Sequence, residues 1–131
     1  MNKYSGDYVR ELVKNDPNDN HVVEVKLVDT NIDKSLDQFT IDALVDMKNL
    51  CINRYVYDEN MKKLGIIFDS FINDKDELIA KVYLDNIPDM DCKSSYLSSY
   101  LSASVKRIKF NNSIIDKVLS LYEVVILDDE K

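Results

Sequence analysis

GIIFDSFI at residues 65–72 and ELIAKVYL at residues 77–84 are two runs rich in branched and aromatic side chains, separated by NDKD at 73–76. A short polar spacer of Asn, Asp and Lys between two such runs predicts an antiparallel hairpin over 65–84. Period-two alternation turns Ile66, Phe68, Leu78, Ala80 and Val82 toward a core. The fold class depends on what the chain sets around this hairpin.

Upstream, HVVEVKLVD (21–29) alternates Val23, Val25 and Leu27 with Glu24 and Lys26, the pattern of a half-buried strand. TNIDKSLDQ (30–38) reads as a loop. FTIDALVDMKNLC (39–51) reads as a helix, with Ile41, Leu44, Val45 and Lys48 at helical spacing, Thr40 as the cap and Asp42 in the first turn. Phe39 and Leu44 are placed to staple across that cap. Residues 1–20 are polar and end in NDPNDN, which predicts an N-terminal arm, or a short helix, followed by a loop.

Downstream, DNIPDMD (85–91) breaks regular structure, and SSYLSSYLSAS (94–104) repeats Ser-Ser-Tyr-Leu. A helix over 94–101 would stack Tyr96 on Tyr100 and Leu97 on Leu101 at i,i+4, leaving the serines as its polar face. Tyr96 and Tyr100 are then the candidate interface pair, two rings forming one anchor. SVKRIKF (104–110) and LYEVVIL (121–127) supply two more strands, the second apolar on both faces and therefore central. About five strands and two to three short helices in this order predict an α+β domain over 21–131, with a mostly antiparallel, partly closed sheet.

At 131 residues the chain can bury a core without disulfides or a structural metal. Its 24 acidic against 17 basic side chains give a net charge of −7, which argues against a nucleic-acid partner. Cys51 and Cys92 stand apart without metal-ligand spacing, as free thiols in a reducing compartment do. The acidic groups Asp16/Asp19, Asp74/Asp76/Glu77, Asp89/Asp91 and Asp128/Asp129/Glu130 lack the calcium-loop pattern and read as solvated loops. No metal or cofactor is expected. No signal peptide or long apolar run stands in the sequence, so neither secretion by the usual route nor a membrane span is expected.

Four stretches carry a resemblance. VKLVDTNIDKSLDQFTIDALVDM (25–47) has a strand, a loop of the type Asp-x-x-Gly-Asp and a helix, with Asp33 and Asp37 matching and Leu36 at the glycine position. VYDENMKKLGIIFDSFINDKDELIAKVYL (56–84) opens a hairpin at Leu64-Gly65. YLSASVKRIKF (100–110) is similar to a Leu-Ser-Ile-Gly strand, with Ser102 at the serine and Ala103-Ser104 in place of Ile-Gly. LYEVVILDD (121–129) is similar to a closing Leu-Tyr-Glu-Ile-Ser-Leu-Val strand. In this order, over roughly residues 22 to 129, the chain resembles the prohead maturation proteases of tailed bacteriophages, whose fold is similar to the herpesvirus assembly protease.

That resemblance implies a serine nucleophile at Ser102 and a histidine a few residues before Leu64-Gly65. The position falls on Asp58, and an ordinary aspartate is too weak a base at neutral pH to take a serine proton. His21, the one histidine, lies at the start of the first strand. Asp58 and Ser102 are thus the degenerate catalytic positions. The resemblance implies a non-catalytic virion or assembly component, a capsid auxiliary or decoration protein, assembled in the host cytoplasm. Its expected partners are capsid or other virion proteins, further copies of itself included. An active protease with a rearranged site and an unrelated intracellular interaction module are the alternatives.

Overall fold

The computed structural model describes residues 4–33, 36–88, 96–108 and 113–127. Among them the chain runs α1 (Gly6–Asn15), β1 (Val22–Asp29), β2 (Asp37–Phe39), α2 (Ile41–Leu50), β3 (Tyr55–Tyr57), β4 (Lys63–Ile72), β5 (Glu77–Leu84), β6 (Ser99–Ile108) and β7 (Ser113–Ile126). The architecture is α+β, with a mostly antiparallel sheet curled strongly into a half-barrel. The strand order is β1-β5-β4-β3-β7-β2, with β6 also on β7.

The central strand is β7. β6 pairs antiparallel along one edge, while β2 and β3 pair parallel at opposite ends of the other. Tyr122, Leu119 and Asp116 each stand unmatched in the β6–β7 register, so three bulges at three-residue spacing bend and twist this long strand. One is braced from outside the sheet: the Val118 N–H donates to the Asp46 carboxylate on α2 at 3.1 Å.

The hairpin forms as β4 and β5, with Gly65 opposite Leu84 and Ile72 opposite Leu78. A β-carbon at Gly65 would collide with the Tyr83 carbonyl and Leu84, so only glycine allows this approach. Phe68 is the extra residue of a bulge between Ile67 and Asp69, and it reverses which parity faces the core. All five residues expected inward are buried, but on two faces. Leu78, Ala80 and Val82 join the main core with Ile67, whereas Ile66 and Phe68 lie on the opposite face with Tyr83 and Val9 of α1. The N-terminal segment thus supplies a helix that roofs the outer face. The Arg10 guanidinium donates to the Phe68 carbonyl at 2.9 Å, holding α1 over the bulge.

Three further expectations are corrected. The helix over 94–101 is absent from its described part: Leu97 forms a parallel bridge with Val25, and β6 begins at Ser99. A spacing of four is a multiple of the strand period as well as about one helical turn, so the Tyr96/Tyr100 and Leu97/Leu101 pairs fit either structure. The chain here meets β1, where the Lys26 N–H donates to the Leu97 carbonyl and the Leu97 N–H to the Glu24 carbonyl. A helix could not make that bridge. Second, α2 is capped by Thr40 as expected, yet it buries Ala43, Leu44 and Met47 and leaves Ile41 and Val45 exposed, because β7 and β4 cover the former stripe. Third, the described residues form seven strands rather than about five, β2 and β3 being too short to alternate detectably.

Phe68→Ala is expected to cost roughly 3–5 kcal/mol, the range for an aromatic emptied from a core. Urea unfolding checks this, and an unchanged midpoint would show that the α1 face contributes nothing.

Candidate functional site

Three loops share one construction. In each, an Asp or Asn opens the loop, its N–H donates to the carbonyl four residues on, and its own carbonyl accepts from the residue three on. The openers are Asp33, Asp58 and Asn73, closing on Asp37, Lys62 and Glu77. The residue three on takes the left-handed conformation each time: Leu36 (φ 65°), Met61 (φ 65°) and Asp76 (φ 58°). The opener's side chain accepts from the closing N–H, at 2.9 Å for Asp33, 2.9 Å for Asp58 and 3.0 Å for Asn73. Asp58 also accepts from the Asn60 N–H at 2.8 Å. Its carboxylate is occupied in fixing the β3–β4 turn.

Ser102 lies on β6 opposite Glu123. Alternation with Leu101 and Ala103, which pack on the core, puts its hydroxyl on the outer face. Asp58 follows Tyr57, which pairs with Val125, so it lies beyond the other edge of β7. Two strand spacings and three residue steps separate it from Ser102, roughly 10 Å in each direction. His21 is farther still. Val25 and Leu97 bridge in parallel, with His21 before the bridge and Ser102 beyond it. The nine intervening residue steps span roughly 30 Å of extended chain. The structure brings neither Asp58 nor His21 to Ser102.

His21 belongs to a polar cluster the sequence did not announce. Its Nδ1 lies 2.7 Å from one Asp19 oxygen, and the Tyr83 hydroxyl donates to the other at 2.7 Å. The His21 and Tyr83 rings stack with centroids 4.8 Å apart. Burial raises the Asp19 carboxyl, but hydrogen bonds from the His21 backbone and ring and from Tyr83 outweigh it and hold it below the usual carboxylate range. Burial, then the Asp19 carboxylate, pushes the Tyr83 phenol well above its ordinary value. The cluster ties the loop before β1 to β5. Asp19 standing two residues before the lone histidine was a signal; nothing local pointed to Tyr83.

The outer face of β6 and β7 presents two exposed tyrosines. Tyr100 is 60% and Tyr122 61% exposed, with Leu119 and Ile108 exposed on the same two strands. Tyr96 lies four residues before Tyr100 on extended chain, about 13 Å away rather than one helical turn. The two rings cannot form a single anchor by stacking. Tyr122 is turned out by its bulge. Hydrogen bonds from Ser120 and Ser104 lower its phenol pKa, engaging two serines of this face.

Among the described residues no group of three His, Cys, Asp or Glu side chains could hold a metal ion. Cys51 is buried, which pushes its thiol up. Cys92, Ser94, Ser95, Asp89, Asp91 and Asp128–Glu130 lie outside the described residues. No helix described is long and apolar enough to cross a membrane. No protein-family model matches the chain, and no curated protein or solved structure matches it.

Leu36 is 69% exposed and makes no core contribution to offset its left-handed backbone. Leu36→Gly is therefore expected to stabilise by about 1 kcal/mol, read as a raised denaturation midpoint. Asp19 supplies a pH dependence. Its folded pKa is lowered, so its contribution is complete above the unfolded value of about 3.9 and is lost as pH falls through the folded value. Tyr83→Phe removes one donor and should move the Asp19 carboxyl titration, followed by NMR, upward. An unmoved titration would show the hydrogen bond to be unimportant.

Proposed function

We propose that this chain is a non-catalytic structural or assembly component of a tailed-phage virion, a capsid auxiliary or decoration protein on a prohead-protease-like fold. The observation that carries the non-catalytic part is the separation of Ser102 from every base the resemblance would assign it. Asp58 is consumed by a turn, and His21 by Asp19 and Tyr83. Neither group the resemblance would use as a base reaches Ser102, so the serine lacks the proton acceptor that mechanism requires. The virion assignment rests on the four sequence stretches quoted above.

Contact with capsid or other virion proteins, or with further copies, falls to the outer face of β6 and β7. Tyrosine gives wide contact area at low entropy cost, and the Tyr122 phenol meets Ser120 and Ser104 on the same face. Tyr100 and Tyr122 replace the Tyr96/Tyr100 pair as the anchors, with Tyr96 at the margin.

Two measurements test this. Incubation with cognate scaffold and capsid proteins should yield no specific cut by mass spectrometry; a cut abolished by Ser102→Ala would reverse the assignment. Replacing Tyr100 and Tyr122 together by Ser should shift stability by no more than about 0.5 kcal/mol per site. It should nevertheless weaken incorporation into particles at least about 30-fold, as loss of an interface anchor does. Normal incorporation of the folded variant would refute the docking face.

A further inference from the structure

We infer that the gap between β1 and β6 is a binding slot for an extended peptide of a partner protein, which completes the barrel by adding a strand. The two strands run parallel and touch where Leu97 bridges Val25, with the Ser99 hydroxyl donating to the Lys26 carbonyl at 2.8 Å. Beyond that point β1 continues to Asp29 and β6 to Ile108, and among the described residues no ladder joins them. β5 takes the other edge of β1, and β7 the other edge of β6. Two strand edges therefore face each other across an opening, each the template an added strand requires.

Under the opening lies a cavity of about 540 Å³. Leu27 from β1, Leu101, Ala103 and Val105 from β6, and Met47 and Ile115 form its apolar part, with Ser99 and Tyr100 at one end and Asp33, Asp37 and Arg107 at the other. Its lining follows β6 from Ser99 to Arg107, eight residue steps, or about 26 Å of strand. That length suits a strand rather than a compact ligand. Every second side chain of an inserted strand would enter the apolar space, while its backbone bonds to β1 and β6. Because β1 and β6 are parallel, the insert is antiparallel to both or parallel to both, and antiparallel pairing is the more stable.

Charge fixes the orientation of the sequence. At the far end Asp33 and Asp37 line the cavity against Arg107, which lies 3.3 Å from Asp37. Among the described lining residues two carboxylates face one guanidinium, on a chain of net charge −7, an acidic balance that favours a cationic residue there. In the antiparallel arrangement that residue is at the peptide's N-terminal end. The occupant is an extended segment with Lys or Arg first and apolar residues at alternate positions after it.

This inference needs only the purified full-length chain, so it succeeds or fails apart from the particle experiments. The probes are fluorescein-labelled peptides about nine residues long, matched to the cleft at ~3.3 Å per residue. Each has lysine first, then threonine alternating with valine, leucine or phenylalanine. At least one should bind saturably. With peptide at about ten times its dissociation constant, amide exchange over 27–29 and 100–107 should slow about tenfold. Glutamate in place of lysine should weaken binding, and proline at two threonine positions, which removes N–H donors but keeps the apolar residues, should abolish it. Ala103→Phe, which fills the cavity, should also abolish it; the proline peptides keep the test valid if that variant does not fold. The inference is overturned if no peptide of the panel binds. It is also overturned if decanoate fills the cavity and no peptide displaces it, or if peptide binding survives Ala103→Phe but is lost on Tyr122→Ser.

Discussion

Both edges of a single fourteen-residue strand must be hydrogen-bonded while that strand bends, and the rest of the structure follows from how β7 meets this demand. A flat strand of that length could not wrap a core. Three bulges supply the bend, each leaving local backbone groups outside the regular ladder. α2 answers one of them through Asp46, and so packs against β7 while its cap sets the chain back onto β2. The parallel segments β2 and β3 take the two ends of the second edge, which brings the β4–β5 hairpin to the far wall.

The long alternating elements were legible and the bent or short ones were not. β1 was read with its inward residues correct because Val23, Val25 and Leu27 meet no irregularity until the bulge near its end. The hairpin was read correctly in extent, but Phe68 sits in a bulge, and strict alternation cannot report a change of parity. α2 was found through Thr40, although the apolar Ile41 and Val45 drew the wrong face. The serine-rich stretch misled because a four-residue repeat satisfies two periods, and what decides between them is the distant edge of β1. Of the site, Tyr100 was legible as an exposed ring, whereas Tyr122 was hidden in a run that looked buried on both faces.

Asp58 has a local physical role of its own. It opens a loop of a kind that occurs three times among the described residues, and the residue types that open such loops are Asp and Asn, whose short side chains bond the backbone two to four residues on. Once the position serves the turn, its geometry is set by the loop rather than by a nucleophile. Leu36 shows the converse: the left-handed backbone is present although glycine, the residue suited to it, is not.

The two faces of the hairpin are also unequal in what holds them. Among the described residues sixteen buried side chains form the main core, against four on the α1 side, Val9, Ile66, Phe68 and Tyr83. Only Val9 of these comes from the helix, and no sheet ladder crosses to it. α1 can therefore lift away as a sub-global opening while the half-barrel stays intact, at a free energy well under that of complete unfolding. Such an opening bares Ile66, Phe68 and Tyr83 side by side on a ready-made sheet surface, the kind of patch on which proteins self-associate. The ten-residue helix is thus less a pillar of the fold than a guard over its most adhesive face.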